Sequence, residues 1–171
     1  DWTQLDAWLQ KLDAAPLAAF DTETTSLDPM QARLVGMSFA VAPGEAAYLP
    51  LAHRYAGVPQ QLTFDEALAK LKPWLESPRH AKLGQNLKYD MIVLRSAGVE
   101  VAGAHFDDMV ASYLLHAGER NHSLDELSLR YLRHQTIKID ELIGSGKNQK
   151  RMDEVPLPQI TEYAAEDADV A

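Results

Sequence analysis

Residues 17–24 read Leu17-Ala18-Ala19-Phe20-Asp21-Thr22-Glu23-Thr24, an apolar run behind Pro16 that passes into two carboxylates one residue apart. A short run of this kind predicts a strand buried on both faces. Side chains alternate along a strand, so Asp21 and Glu23 point to the same side. Two carboxylates held together at the end of a buried strand repel each other and lose hydration, a cost that a cation between them relieves. The stretch therefore reads either as half of a metal site or as a solvated strand end with two incidental acids. The choice rests on the rest of the chain.

The 171 residues suit one domain, large enough to bury about two thirds of its unfolded surface without covalent staples. The sequence has no cysteine, which excludes thiolate nucleophiles, cysteine-type zinc clusters and a redox role, and agrees with a cytoplasmic address. Any catalysis must use carboxylates, histidines, hydroxyls or lysines. No apolar run approaches the roughly 18 residues of a membrane helix, and no basic-then-apolar leader opens the sequence, so the chain is expected to be soluble, unexported and without a membrane partner. With 25 acidic against 16 basic residues the net charge is -9, which argues against a general polyanion binder. An acidic protein can still approach phosphates if its acids carry divalent cations and its basic residues gather at one edge.

Outward from the opening strand, Leu5, Trp8, Leu9 and Leu12 give a helical stripe with Thr3 as its expected N-cap. Ser26-Leu27-Asp28-Pro29 reads as a turn, and residues 34–41 and 46–51 as two strands joined by Pro43-Gly44 in an antiparallel hairpin. Phe64, Leu68, Leu71 and Leu75 mark a helix with Thr63 and Glu66 as a capping box and Pro73 disturbing its last turn. Residues 81–84 read as a short strand leading into a helix that Gly98 terminates, and residues 104–106 as a fifth strand before a helix through Met109, Val110, Tyr113, Leu114 and Ala117. Ser123 and Glu126 cap a further helix, with Leu124, Leu127 and Tyr131 as its buried stripe. Residues 134–157 hold no clear period and contain the basic stretch around Lys147, and a last helix runs from Pro158 to the end. Three leading strands followed by alternating helices and short strands predict an α/β layer fold with a mixed sheet.

Asn86 and Asp90 share one face at the start of the helix after the fourth strand, at the sheet end where ligands of open α/β sheets gather. Tyr163 and Asp167 repeat that four-residue spacing on the last helix, where Glu162, Glu166 and Asp169 are decoys. Each pair alone also reads as a solvated helix face. Four acids drawn from a strand and two helices, with a tyrosine one turn before the last, form a more specific set.

Phe20-Asp-Thr-Glu-Thr24, Gly84-Gln-Asn-Leu-Lys-Tyr-Asp90 and Tyr163-Ala-Ala-Glu-Asp167 closely resemble the three motifs of the 3'-5' proofreading exonuclease domain of bacterial DNA polymerase I, a DEDD-type exonuclease with tyrosine in the third motif. The resemblance covers essentially the whole chain, including Gly146-Lys-Asn-Gln149. It implies a ribonuclease H-like fold, with a mixed five-stranded sheet flanked by helices, in one exonuclease domain over residues 1–171 that is cut at its C-terminal end from a larger polymerase. It also implies hydrolysis of 3'-terminal nucleotides of single-stranded DNA ends with two divalent cations, Mg2+ or Mn2+. Carried over residue by residue, Asp21, Glu23 and Asp167 hold one ion, Asp21 and Asp90 serve the other, and Tyr163 orients the attacking water. Leu27 matches a residue that presses on the terminal base, Gln85 and Asn86 are candidates for contacts to the strand end, and Lys147, Asn148, Lys150 and Arg151 for contacts to backbone phosphates. Ile139 departs from the pattern, standing where some relatives carry an aromatic residue. Asp107 and Asp108 fall outside the motifs and read as structural, and the six histidines as surface or core residues.

Two other readings share these residues. An exoribonuclease of the same superfamily uses the same carboxylates, and a spacer that binds nucleic acid without activity keeps only the fold. The whole-chain resemblance favours the DNA enzyme, with the polymerase domain of the same full-length chain as its partner.

Overall fold

The apolar run forms strand β1, Ala18–Thr24, at the centre of a five-stranded sheet ordered β3-β2-β1-β4-β5. The computed structural model describes residues 1–171, apart from the side chain of Asn148. Strands β2 (Leu34–Ala42) and β3 (Glu45–Pro50) make the expected antiparallel hairpin across Pro43-Gly44, and β2 also pairs antiparallel with β1. On the other side β4 (Lys82–Gly84) and β5 (Ala104–Asp107) run parallel to β1, so the sheet is mixed, as the sequence predicts.

Helices α1 (Trp2–Ala14), α2 (Phe64–Leu75) and α3 (Leu87–Ser96) cover one face over a core that includes Leu12, Phe20, Met37, Phe39, Leu71 and Trp74. Helices α4 (Asp108–Leu115), α5 (Leu124–Leu127) and α6 (Ile139–Ile143) follow, and α7 (Leu157–Val170) lies over β1, β2 and β3 on the opposite face. Ala19, Ala40 and Ala168 pack between sheet and helix there, and their small side chains let α7 approach closely. Gly84 permits a similar approach on the α3 side, because a Cβ there would lie 2.8 Å from the Phe20 carbonyl oxygen and 2.7 Å from Leu87 Cδ2.

Several local expectations change. Asp1, not Thr3, caps α1, because Asp1 and Gln4 close a reciprocal capping box that starts two residues earlier. Thr63 precedes α2 but makes no side-chain cap bond, and Pro73 is accommodated two residues before the helix ends. Helix α4 stops at Leu115, short of Ala117. Tyr131 is 58% exposed instead of buried. The reason is a change of period, since α5 passes into a π turn over Ser128–Leu132 that rotates Tyr131 off the stripe, and its hydroxyl meets His116 Nε2 at 2.8 Å. The aperiodic segment contains α6 and two short 3-10 turns, Gly146–Asn148 and Met152–Glu154. Among the described residues no helix is long and apolar enough to cross a membrane.

Candidate active site

Strand alternation places Asp21 and Glu23 on the α7 face, in cross-strand register with Ser38 and Gly36 of β2. Helix α7 brings Asp167 over them. One carboxylate oxygen from each of Asp21, Glu23 and Asp167 lies within 4.8 Å of the others, and these three form the one such cluster among the described residues. Glu23 is buried and its Oε1 has no hydrogen-bond partner.

Asp90 arrives from the other side of the strand. Strand β4 is short, so its pairing with β1 covers only Ala18 and Ala19 and leaves the later main chain of β1 open on that edge. The Thr22 N–H and hydroxyl both donate to Asp90 Oδ1, at 3.0 and 2.5 Å. Asp90 thus takes the place of a strand partner. It stands outside the cluster of three, yet close enough that its charge opposes ionisation of Asp21.

All four acids are harder to ionise than free carboxylates. Burial, then the charge of Asp90, raises Asp21 well above the ordinary range, and burial followed by the charges of Asp21, Asp167 and Asp90 does the same for Glu23. Burial and Asp21 push Asp167 up to about 8. Burial pushes Asp90 up to about 7 against the lowering effect of its bonds to Thr22. Tyr163, one turn before Asp167, is held as a neutral phenol by burial and by the charges of Asp167 and Glu23, which raise its pKa. A group of hard oxygen donors that repel one another, including a buried oxygen with no protein partner, fits a hard divalent cation.

The remaining predicted residues stand on other segments and outside the cluster of three. Leu27 is 92% exposed on a loop that Tyr89 fastens, its hydroxyl meeting Thr24 Oγ1 at 2.5 Å and donating to the Ser26 carbonyl. Gln85 donates its Nε2 to the His122 carbonyl at 2.8 Å, which leaves its buried Oε1 free. Asn86 occupies the N-cap position of α3 at φ 60°, a left-handed conformation that asparagine tolerates. Its N–H and that of Leu87 donate to Asp107, which also accepts from Val110 N, so Asp107 serves two helix starts and is structural as expected. Lys147 and Lys150 are exposed. Arg151 instead turns its guanidinium to buried Asp153, with both bonds at 3.1 Å. The expectation for the Asn148 side chain lies outside the described residues. His53 and His122 are core residues held by Tyr48 and Ser112, in line with the sequence reading. Sequence reasoning missed Thr22, whose position between the two acids was its only signal, and Tyr48, whose place beside the site depends on strand register.

A family model described as 3'-5' exonuclease matches residues 1–171. The chain is 51% identical to DNA polymerase I of Pseudomonas aeruginosa over 99% of its length and 43% identical to that of Rhizobium leguminosarum over 99%. It spans only 19% and 18% of those relatives. The POL domain of Pol1 from M. smegmatis in complex with DNA primer-template and dNTP is 25% identical, with a TM-score of 0.63 over 78% of this chain and 22% of that one. Brucella melitensis NrnC, 24% identical, has the same fold, with a TM-score of 0.66 over 91% of this chain and 68% of that one. A second NrnC structure, with a TM-score of 0.63 and 24% identity over 91% of this chain and 68% of that one, has bound Mg2+. The sheet order and these neighbours establish the ribonuclease H-like fold.

Proposed function

The chain belongs to the 3'-5' exonuclease family of DNA polymerase I, and from that premise we propose that it removes nucleotides from the 3' end of single-stranded DNA by divalent-cation-dependent hydrolysis. The observation that carries this reading is the convergence of Asp21, Glu23 and Asp167 within 4.8 Å around a buried oxygen without a partner.

Asp21, Glu23 and Asp167 would hold one Mg2+ or Mn2+, and Asp90 would join Asp21 at a second through the oxygen not committed to Thr22. Bound ions of this class supply a water of lowered pKa and stabilise the negative charge that develops on phosphate and leaving oxygens. Tyr163 stays protonated, so its part is to orient the attacking water by hydrogen bonding, not to remove its proton. The water oxygen bonds to the terminal phosphorus as the bond to the 3' oxygen of the preceding nucleotide breaks. A nucleoside 5'-monophosphate leaves, and the shortened strand keeps a 3'-hydroxyl. Leu27 offers an exposed apolar surface to the terminal base. Gln85 and Asn86 would contact the strand end, while Lys147, Asn148, Lys150 and Arg151 would face the backbone beyond it, Arg151 with part of its charge spent on Asp153. In the full-length protein, a polymerase domain of the same chain would deliver the strand, in the cytoplasm.

The test compares a 3'-tailed DNA with an RNA of the same sequence, with magnesium or with EDTA. DNA should shorten to mononucleotides only with the cation, and Asp21→Ala should lose more than about a thousandfold in rate. Equal activity in EDTA or an undiminished Asp21→Ala protein would refute the mechanism. A strong preference for RNA would overturn the DNA assignment.

A further inference from the structure

The sheet row next to the carboxylates holds polar groups that the proposed chemistry leaves unused. Asp21 is opposite Ser38, and Ser38 is opposite Tyr48, so the three side chains share the α7 face. Glu23 is likewise opposite Gly36. Tyr48 leans along this face onto Gly36, where even a methyl group would collide with its ring and hydroxyl. The phenol therefore ends beside the backbone that pairs with Glu23. Ser38 is fully buried in the same row and its Oγ, like Glu23 Oε1, has no partner.

Tyr48 is fixed from behind. Its hydroxyl meets His53 Nε2 at 2.7 Å, and the main chain of His53 is held by Gln61, which accepts from His53 N at 2.9 Å and donates to its carbonyl at 2.8 Å. Tyr48 and His53 are both buried. The ring also packs in a cluster with Ile160 and Ala164 of α7, and the partly buried Tyr163 packs against that cluster. The charges of Glu23 and Asp21 add to burial in raising the Tyr48 pKa, which places the phenol in their field. A neutral phenol wedged over a glycine and tied to a buried imidazole makes a fixed wall.

We infer that Tyr48, pinned by His53, is a positioning residue that sets the orientation of the Glu23 carboxylate toward the cation it shares with Asp21 and Asp167. Gly36 leaves room for the ring, and α7 closes over it. The inference rests on the metal reading of the carboxylate cluster. Residues standing behind metal ligands commonly change affinity or activity about 10- to 100-fold when altered. Tyr48 acts here through Glu23 and touches no reacting atom.

The experiment titrates the chain with Mn2+ and follows the free ion by electron paramagnetic resonance, without substrate. Wild type, Tyr48→Phe, His53→Gln and the double variant are compared, with Asp21→Asn as a chain lacking a ligand. Tyr48→Phe and His53→Gln should each weaken the tightest Mn2+ site about tenfold, and the double variant no more than either alone. A packing role alone would lower the melting temperature and leave Mn2+ affinity intact. Wild-type affinity in a folded Tyr48→Phe protein overturns the inference, and so does full additivity. If Tyr48→Phe does not fold, His53→Gln decides by the same two results. In the wild type, adding Mg2+ should shift the His53 imidazole nitrogen resonances, and no shift overturns the inference as well. Failure of wild type to take up Mn2+ at all would refute the metal reading itself, an outcome distinct from equal binding by wild type and variants.

Discussion

Stripping divalent cations from this chain should make its stability fall as pH rises from about 6.5 to about 8. Asp90 titrates near 7 and Asp167 near 8 in the folded protein, whereas both ionise near pH 4 when unfolded. In that window the folded chain binds protons that the unfolded chain has released. Their stabilising effect is complete below the unfolded value and is lost as pH rises through the folded values. Each proton of difference is worth about 1.4 kcal/mol per pH unit. Asp90 acts over about half a unit and Asp167 over about one and a half, a loss on the order of 3 kcal/mol from these two, or ~6–12 °C in melting temperature for a chain of this size. Asp21 and Glu23, raised by burial and by their neighbours' charges, act in the same sense. His53 is lowered by burial and acts in the opposite sense below about pH 6.5, and buried Lys82, lowered to about 8, does so above that value, which sets the limits of the window. Asp108, raised to about 7 by burial and Asp107, adds to the decline but stands outside the cluster. The part that belongs to the site is therefore the difference between scanning-calorimetry melts in EDTA and in magnesium. Magnesium should stabilise more at the upper end, since it binds the ionised acids. A melting temperature that rises with pH in EDTA, or equal magnesium stabilisation at both ends, would refute the reasoning.

Two further outcomes follow from particular contacts. Tyr163→Phe should slow hydrolysis less than about a hundredfold in single-turnover assays, because loss of the phenol leaves all four carboxylates in place, and a loss as large as that of Asp21→Ala would make Tyr163 more than an orienter. Gly84→Ala should cost about 1–3 kcal/mol in urea unfolding, since its Cβ meets a backbone oxygen that cannot move away as a side chain would. An unchanged midpoint would show that β4 and α3 yield at little cost.

The sheet was readable where the signal is local. Alternation around Asp21 and Glu23, the Pro43-Gly44 hairpin and the helix following β4 depend on neighbours in sequence, and each appears with nearly the expected bounds. Strand and helix spacing put Asp21 with Glu23, Asn86 with Asp90 and Tyr163 with Asp167 on shared faces, but each pair also fitted a solvated face. Only the resemblance of the three motifs joined them into one set, of which the structure brings Asp21, Glu23 and Asp167 within 4.8 Å. Contacts between distant segments were not legible. Arg151 could be identified as basic, but its pairing with Asp153 depends on a 3-10 turn inside an aperiodic segment. Tyr131 fitted a helical stripe and left it because the period changed at Ser128, and the sequence gives no sign of a π turn. Tyr48 looked like an ordinary strand residue until register set it over Gly36.

Asp90 differs from the other acids for a reason contained in β1 itself. Odd residues of the strand face α7 and supply Asp21 and Glu23, while the even residue between them, Thr22, faces α3 and holds Asp90 by its hydroxyl. The second bond, from the Thr22 N–H, exists because β4 is too short to claim that donor. A longer β4 would have paired with Thr22 and removed the anchor. The stub of parallel strand is thus a condition for bringing a fourth carboxylate beside Asp21. One three-residue alternation then couples both helices to a single centre, and it keeps Asp90 Oδ1 occupied so that only Oδ2 remains for a ligand. That division sets Asp90 apart from the cluster of three, and it makes Thr22→Val, which loses the hydroxyl and keeps the N–H, a milder change than any loss of Asp90 itself.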